Sequence, residues 1–181
     1  MKPKLPILLA TGAITLTTPA MANSTDDPQL SFSCQVTQGV PTTVAHLKGN
    51  DAQLPVFYWK PEAVANRTDD TPQQLCNVVS DELENYSAQG YDLSHINFTG
   101  TEQGGLPVIC ANAGGTVCSK ILLTLNKAER PETVAQNVVD SVLNENLQSQ
   151  KTEYRKRGVQ SISYQVDFWS LLGLQLKFLD K

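Results

Sequence analysis

The chain has 181 residues, 40% of them hydrophobic, with 14 Lys and Arg against 18 Asp and Glu and a formal net charge of −4. That is enough chain to bury a core. Its acidity, with no basic stripe, excludes nucleic acid as a partner, because phosphate contacts need clustered Lys and Arg.

The first 22 residues read as an export signal. Lys2 and Lys4 form a positive head, Leu5 to Leu16 a short apolar run, and Ala20-Met21-Ala22 a small-x-small cleavage site before Asn23. The run is broken by Gly12 and is too short for a span of about 20 apolar residues. No later segment reads as a transmembrane helix. Residues 23–30 are polar and read as a loose arm, and residues 31–181 as a single domain.

From there three brief runs, 31–36, 42–47 and 54–59, are rich in Val, Thr, Phe and Tyr and are separated by Gly, Asn and Asp, which predicts an antiparallel meander. Thr71-Pro72-Gln73-Gln74 then supplies a capping Thr, a Pro at the first helical position and a Gln three residues past the cap. Leu75, Val78, Val79, Leu83 and Tyr86 follow at helical spacing and Gly90 ends the pattern, so a helix is expected over 72–89. Strands are expected at 93–98, 106–111 and 117–125, with Gly100 to Gly105 as a turn and Ile121, Leu123 and Leu125 on one face. A second amphipathic helix starts near Pro131 and carries Val134, Ala135, Val138, Val139, Val142, Leu143 and Leu147. The polar stretch from Asn144 to Gly158 reads as a helix end running into a linker at 151–160. Residues 162–168 alternate as a strand, and Trp169 to Leu174 suggest a short helical turn before the apolar tail. This tail either closes the core or stands exposed to a membrane or partner. The predicted class is therefore α+β, a mostly antiparallel sheet with two amphipathic helices packed on it.

Four cysteines, Cys34, Cys76, Cys110 and Cys118, follow the signal, an even count that in an exported chain points to two disulfides. No C-x-x-C or finger spacing supports zinc, and no metal or cofactor is expected. Cys110 and Cys118 flank Asn112-Ala113-Gly114-Gly115, a hairpin turn that would bring them together and leave Cys34 for Cys76. Cys34 with Cys110 or Cys118 is the alternative.

Chemistry is harder to find. No G-x-S-x-G occurs, His46 and His95 stand alone, and no catalytic residue is assigned. Asp69 and Asp70 precede a helix start, where acids are favoured without catalysis, although they could bind calcium weakly. Phe57-Tyr58-Trp59 is read as core before it is read as a sugar or peptide platform. Sequons stand at Asn23, Asn66, Asn85 and Asn97. Lys151, Arg155, Lys156 and Arg157 form the only basic cluster, either a solvated segment or a docking patch for an anionic surface.

Phe32-Ser33-Cys34, Pro41 to Ala45, Thr71 to Cys76 with Val79-Ser80, Gly105 to Cys110, and Cys118 followed by Leu122 to Leu125 together resemble the cyanobacterial circadian oscillating protein family. These elements span residues 32–147, and Val166-Asp167-Phe168 with Leu171-Leu172 extends the likeness. The resemblance implies an exported cyanobacterial protein of rhythmic abundance, associated with membranes in the family's namesake, with no established active site to carry over. The expected function is an exported, non-enzymatic binding or accessory protein of the periplasm, thylakoid lumen or medium. Its partner would be an unidentified protein or a membrane surface. The alternatives are a hydrolase or other enzyme with an unrecognised site, and a secreted inhibitor presenting the loop Asn112 to Thr116.

Overall fold

A computed structural model describes residues 29–172 apart from 50, 92, 94, 114–117 and 157–158. The export signal, most of the polar arm and the tail past Leu172 lie outside the described residues. Two antiparallel sheets form the frame. The first is a meander of β1 (Leu30–Thr37), β2 (Val40–Leu47) and β3 (Gln53–Tyr58). Gln38 and Gly39 link β1 to β2 with φ of 53° and 81°, the signature of a type I′ hairpin turn.

Next come the short helix α1 (Pro61–Val64) and the long α2 (Pro72–Ala88). The predicted cap of α2 is present in full. Thr71 Oγ1 accepts from the Gln74 backbone N–H, and the Gln74 side chain accepts from the Thr71 backbone N–H at 2.8 Å. Gly90, with φ of 77°, lies just past the helix end. The buried stripe is Leu75, Cys76, Val79, Ser80, Leu83 and Tyr86, whereas Val78 is 45% exposed. The buried stripe is shifted toward Cys76 and Ser80, on the opposite flank of the helix from Val78.

The second sheet contains β4 (Ile96–Gln103), β5 (Leu106–Ala113), β6 (Lys120–Thr124), β7 (Lys151–Lys156) and β8 (Val159–Val166), in the spatial order β6-β5-β4-β8-β7. Helix α3 (Pro131–Val142) packs on β4 and β5. A 3-10 turn, Glu145–Gln150, follows it, and α4 (Phe168–Leu171) follows β8. Three expectations change here. Gly100 lies within β4 and only Gly104 and Gly105 make the turn. A Cβ on Gly100 would stand 2.3 Å from the backbone of Ala135, so glycine is needed there for the approach of α3. In β6 a register shift opposite Ile109 and Cys110 leaves Leu122 and Leu123 both buried and Ile121 38% exposed, replacing the expected face. Residues 151–156 are not a linker but a strand paired to β8 along its whole length.

The apolar residues of the two sheets and helices meet in one buried cluster. Phe57 meets Phe98 edge-on at 4.8 Å and Phe32 meets Phe168 edge-on at 5.6 Å, so the start of the C-terminal segment belongs to the core. Each such fully buried apolar side chain contributes about 1.5–3 kcal/mol. Helix α2 also covers sheet edges. Glu84 accepts the Phe32 N–H at 2.7 Å, Ser87 donates to the Leu30 carbonyl at 2.7 Å, and Glu82 pairs with Lys120 at the head of β6. Two disulfides staple these elements, Cys34–Cys76 between β1 and α2 and Cys110–Cys118 beside β5, each with Cα atoms 5.4 Å apart. This is the pairing favoured from the hairpin turn.

Candidate functional site

Alternation along β3 and its exit sends Phe57 and Trp59 into the core, each 1% exposed, and leaves the intervening Tyr58 half-buried on the other side. The platform reading therefore fails for two of the three aromatics. Trp59 is held from within: its Nε1–H donates to Thr43 Oγ1 at 3.0 Å, and the Ser80 hydroxyl donates to the same oxygen at 3.2 Å. Tyr58, in contrast, lines a polar cleft of about 710 Å³. One wall is the β1–β2 hairpin tip with Gln38, and the other is the end of α3 with the 3-10 turn.

The second wall is built by a set of amide contacts. Asn144 donates its backbone N–H to Val56 O at 2.9 Å and its side-chain N–H to Pro55 O at 2.8 Å, which ties the end of α3 to the edge of β3. Its Oδ1 accepts from Asn146 N at 3.1 Å and so starts the 3-10 turn. Gln148 donates to the carbonyls of Asp140 and Leu143, at 3.0 and 2.8 Å, satisfying acceptors that every helix C-terminus leaves open. Asp140 is fixed through Oδ1 alone, which accepts from Tyr164 Oη at 2.6 Å and from Gln136 Nε2 at 2.7 Å. Among the described residues no group bonds its Oδ2. Burial first, then the hydrogen bond and negative charge of Asp140, raise the Tyr164 phenol well above its ordinary pKa. Tyr164 therefore stays a donor at physiological pH and is no base.

A second cleft, of about 440 Å³, lies at the end of α2 between Gln29, Lys48, Glu84, Ser87, Tyr91 and Trp169. Its polar groups are largely spent on the fold. Glu84 and Ser87 hold the β1 edge, and Lys48 donates to Gln29.

The histidines are placed as follows. His46 Nε2 lies 2.6 Å from Ser33 Oγ and 3.1 Å from Gln35 Nε2, on neighbouring strands β1 and β2. His95 Nε2 is 4.0 Å from Asp167 Oδ2. Neither histidine lines either of these clefts. Ser33 and His46 sit mid-strand on a pleated surface, paired across β1 and β2. Asp69 accepts from Asn126, and Asp70 exchanges hydrogen bonds with Thr68 in the turn before α2. Among the described residues no three His, Cys, Asp or Glu side chains gather as a metal site.

Lys151, Arg155 and Lys156 fall on the edge strand β7, and Arg157 lies outside the described residues. The stapled loop of the inhibitor reading begins at Asn112, which is 1% exposed and accepts from Ser119 N and Oγ; 114–117 lie outside the described residues.

Residues 31–172 match the family model described as Circadian oscillating protein COP23. The chain belongs to this family. The COP23 match covers both sheets, all four cysteines and both walls of the larger cleft. No curated protein and no solved structure matches the chain. Two disulfides suggest an oxidising compartment outside the cytosol for this COP23 member, and no described helix is long and apolar enough to cross a membrane.

Sequence reasoning missed the cleft. Its parts come from positions near 38, 58 and 140–148, and the amide-rich Asn144-Glu-Asn-Leu-Gln148 run was the one local signal.

Proposed function

We propose that this COP23 protein is an exported, non-enzymatic binding module whose ligand site is the cleft between the β1–β2 hairpin and the end of α3. The observation that carries this reading is the division of polar groups in that cleft. One set is consumed in building rigid walls. Another, including Tyr58 Oη, the Gln38 amide and Asp140 Oδ2, makes no hydrogen bond to the described fold. A preformed concave surface with uncommitted donors and acceptors is what small-ligand recognition requires. The Ser–His contact, which hydrolysis would need in a cleft, lies elsewhere. The compartment is the periplasm, the thylakoid lumen or the medium. The basic positions of β7 are our candidate for peripheral contact with an anionic membrane surface or an unidentified protein partner.

A serine-reactive fluorophosphonate probe tests the non-enzymatic part. Ser33 is expected to stay unlabelled at concentrations that label a serine hydrolase fully. Stoichiometric labelling of Ser33, abolished by His46→Ala, would favour the enzyme alternative instead.

A further inference from the structure

We infer that the ligand of this cleft is a neutral saccharide chain, an assignment that rests on the binding-module reading above. The cleft lies at the C-terminal end of α3, the negative pole of the helix, and carries Asp140 and Glu145 against Lys60. Phosphates, nucleotides and acidic chains are therefore disfavoured. A strand-adding peptide is disfavoured as well, because the β3 edge facing this wall is already occupied by Leu143 and Asn144. A helix is disfavoured too, since of the cleft's apolar lining Leu143 is only 2% exposed and Val40 is half-buried.

What remains suits hydroxyl groups. Planar amides offer a donor and an acceptor side by side, and a carboxylate held by one oxygen offers the other to a hydroxyl pair. Gln38 and Asn146 supply the amides, and Asp140 the carboxylate. Tyr58 lines the cleft beside them as its aromatic residue, with no hydrogen bond from its hydroxyl to the described fold. Its volume of about 710 Å³ sits within the ordinary range of small-ligand sites.

Gln38 gives a second, independent observation. It holds φ of 53° at a turn position where Gly, Asn or Asp is the favoured residue, so it is a poor choice for the hairpin. Gln38 lines the cleft, and a residue held in a sparsely populated backbone region points to function there. Gln38→Gly should therefore raise the unfolding temperature while weakening the ligand.

The test is an amide-resolved NMR titration of the oxidised protein with maltohexaose, cellohexaose and xylohexaose, with spermine and a galacturonate hexamer as charged comparators. At least one neutral hexasaccharide should move the amides of residues 37–40, 58–60 and 140–148. Tyr58→Ala should then weaken it by about tenfold or more, the loss expected of an anchoring aromatic. Gln38→Gly should weaken it without lowering the unfolding temperature, which separates lost contact from lost fold. Saturable binding of spermine or galacturonate at these amides, with the neutral chains silent, would overturn the saccharide assignment and leave the binding site standing. Silence of all the neutral chains overturns it as well, and a chemically diverse fragment screen then decides separately whether the cleft binds anything.

Discussion

Two buried positions have no tolerance for change, for opposite reasons. Gly100 is required because the Ala135 backbone occupies the place of a Cβ. Gly100→Ala should cost at least about 3 kcal/mol in denaturant melts, the upper end for overpacking, since backbone cannot rotate aside as a side chain would. A loss below 1 kcal/mol would show that α3 does not sit on β4 as described. Thr43 is required because its oxygen accepts from both Trp59 and Ser80. Thr43→Val keeps the shape and strands two buried donors, so about 1–3 kcal/mol should be lost. The loss should shrink when Ser80 is also replaced by Ala, because the two residues share one network. At Glu132, burial first and then the charge of Glu102 raise the carboxyl above its usual pKa. A raised carboxyl contributes stability below its unfolded pKa and loses it as pH climbs through the folded value. Glu102→Gln should therefore raise the unfolding temperature at neutral pH and leave it unchanged at about pH 3, where Glu132 is protonated. An equal shift at both pH values would contradict the coupling.

Among the elements, α2 was legible because its signals are local: a capping box, a Pro at the first position and a Gly past the end. The α3 stripe and the three-strand meander were legible for the same reason. The failures arose where distant chain decides. Strict alternation puts Ile121 on one face with Leu123 and Leu125, an order that a register shift against β5 defeats. Lys-Thr-Glu-Tyr-Arg-Lys has no apolar alternation and so reads as linker, whereas pairing with β8 makes it a strand. The cysteine pairing was partly legible, since the turn after Asn112 suggested one bridge and the count left the other. The two bridges differ in reach, with separations of 42 and 8 residues. On the chain-entropy treatment they contribute about 4 and about 2.6 kcal/mol. Double Ala replacement of Cys34 and Cys76 should therefore lower the denaturation midpoint more than that of Cys110 and Cys118. The reverse order would place the stability in the local bridge.

The whole molecule explains why its site was hidden from sequence. Helix α2 closes the β1 edge, Leu143 and Asn144 close the β3 edge, and the second closure creates the larger cleft as a by-product. Tyr58 was visible only as the middle of an apolar triplet, and Asp140 only as the polar side of a helix. Nothing local says that the hairpin tip at Gln38 stands opposite Asp140. The central claim is that this cleft, and not the Ser33–His46 contact, is where the protein meets its ligand. A fragment screen by crystal soaking of the oxidised protein tests it most directly. The account predicts that bound fragments concentrate between Gln38, Tyr58 and Asn146 and are lost from that place in Tyr58→Ala. Fragments that gather at Ser33 and His46 while the cleft stays empty would contradict it.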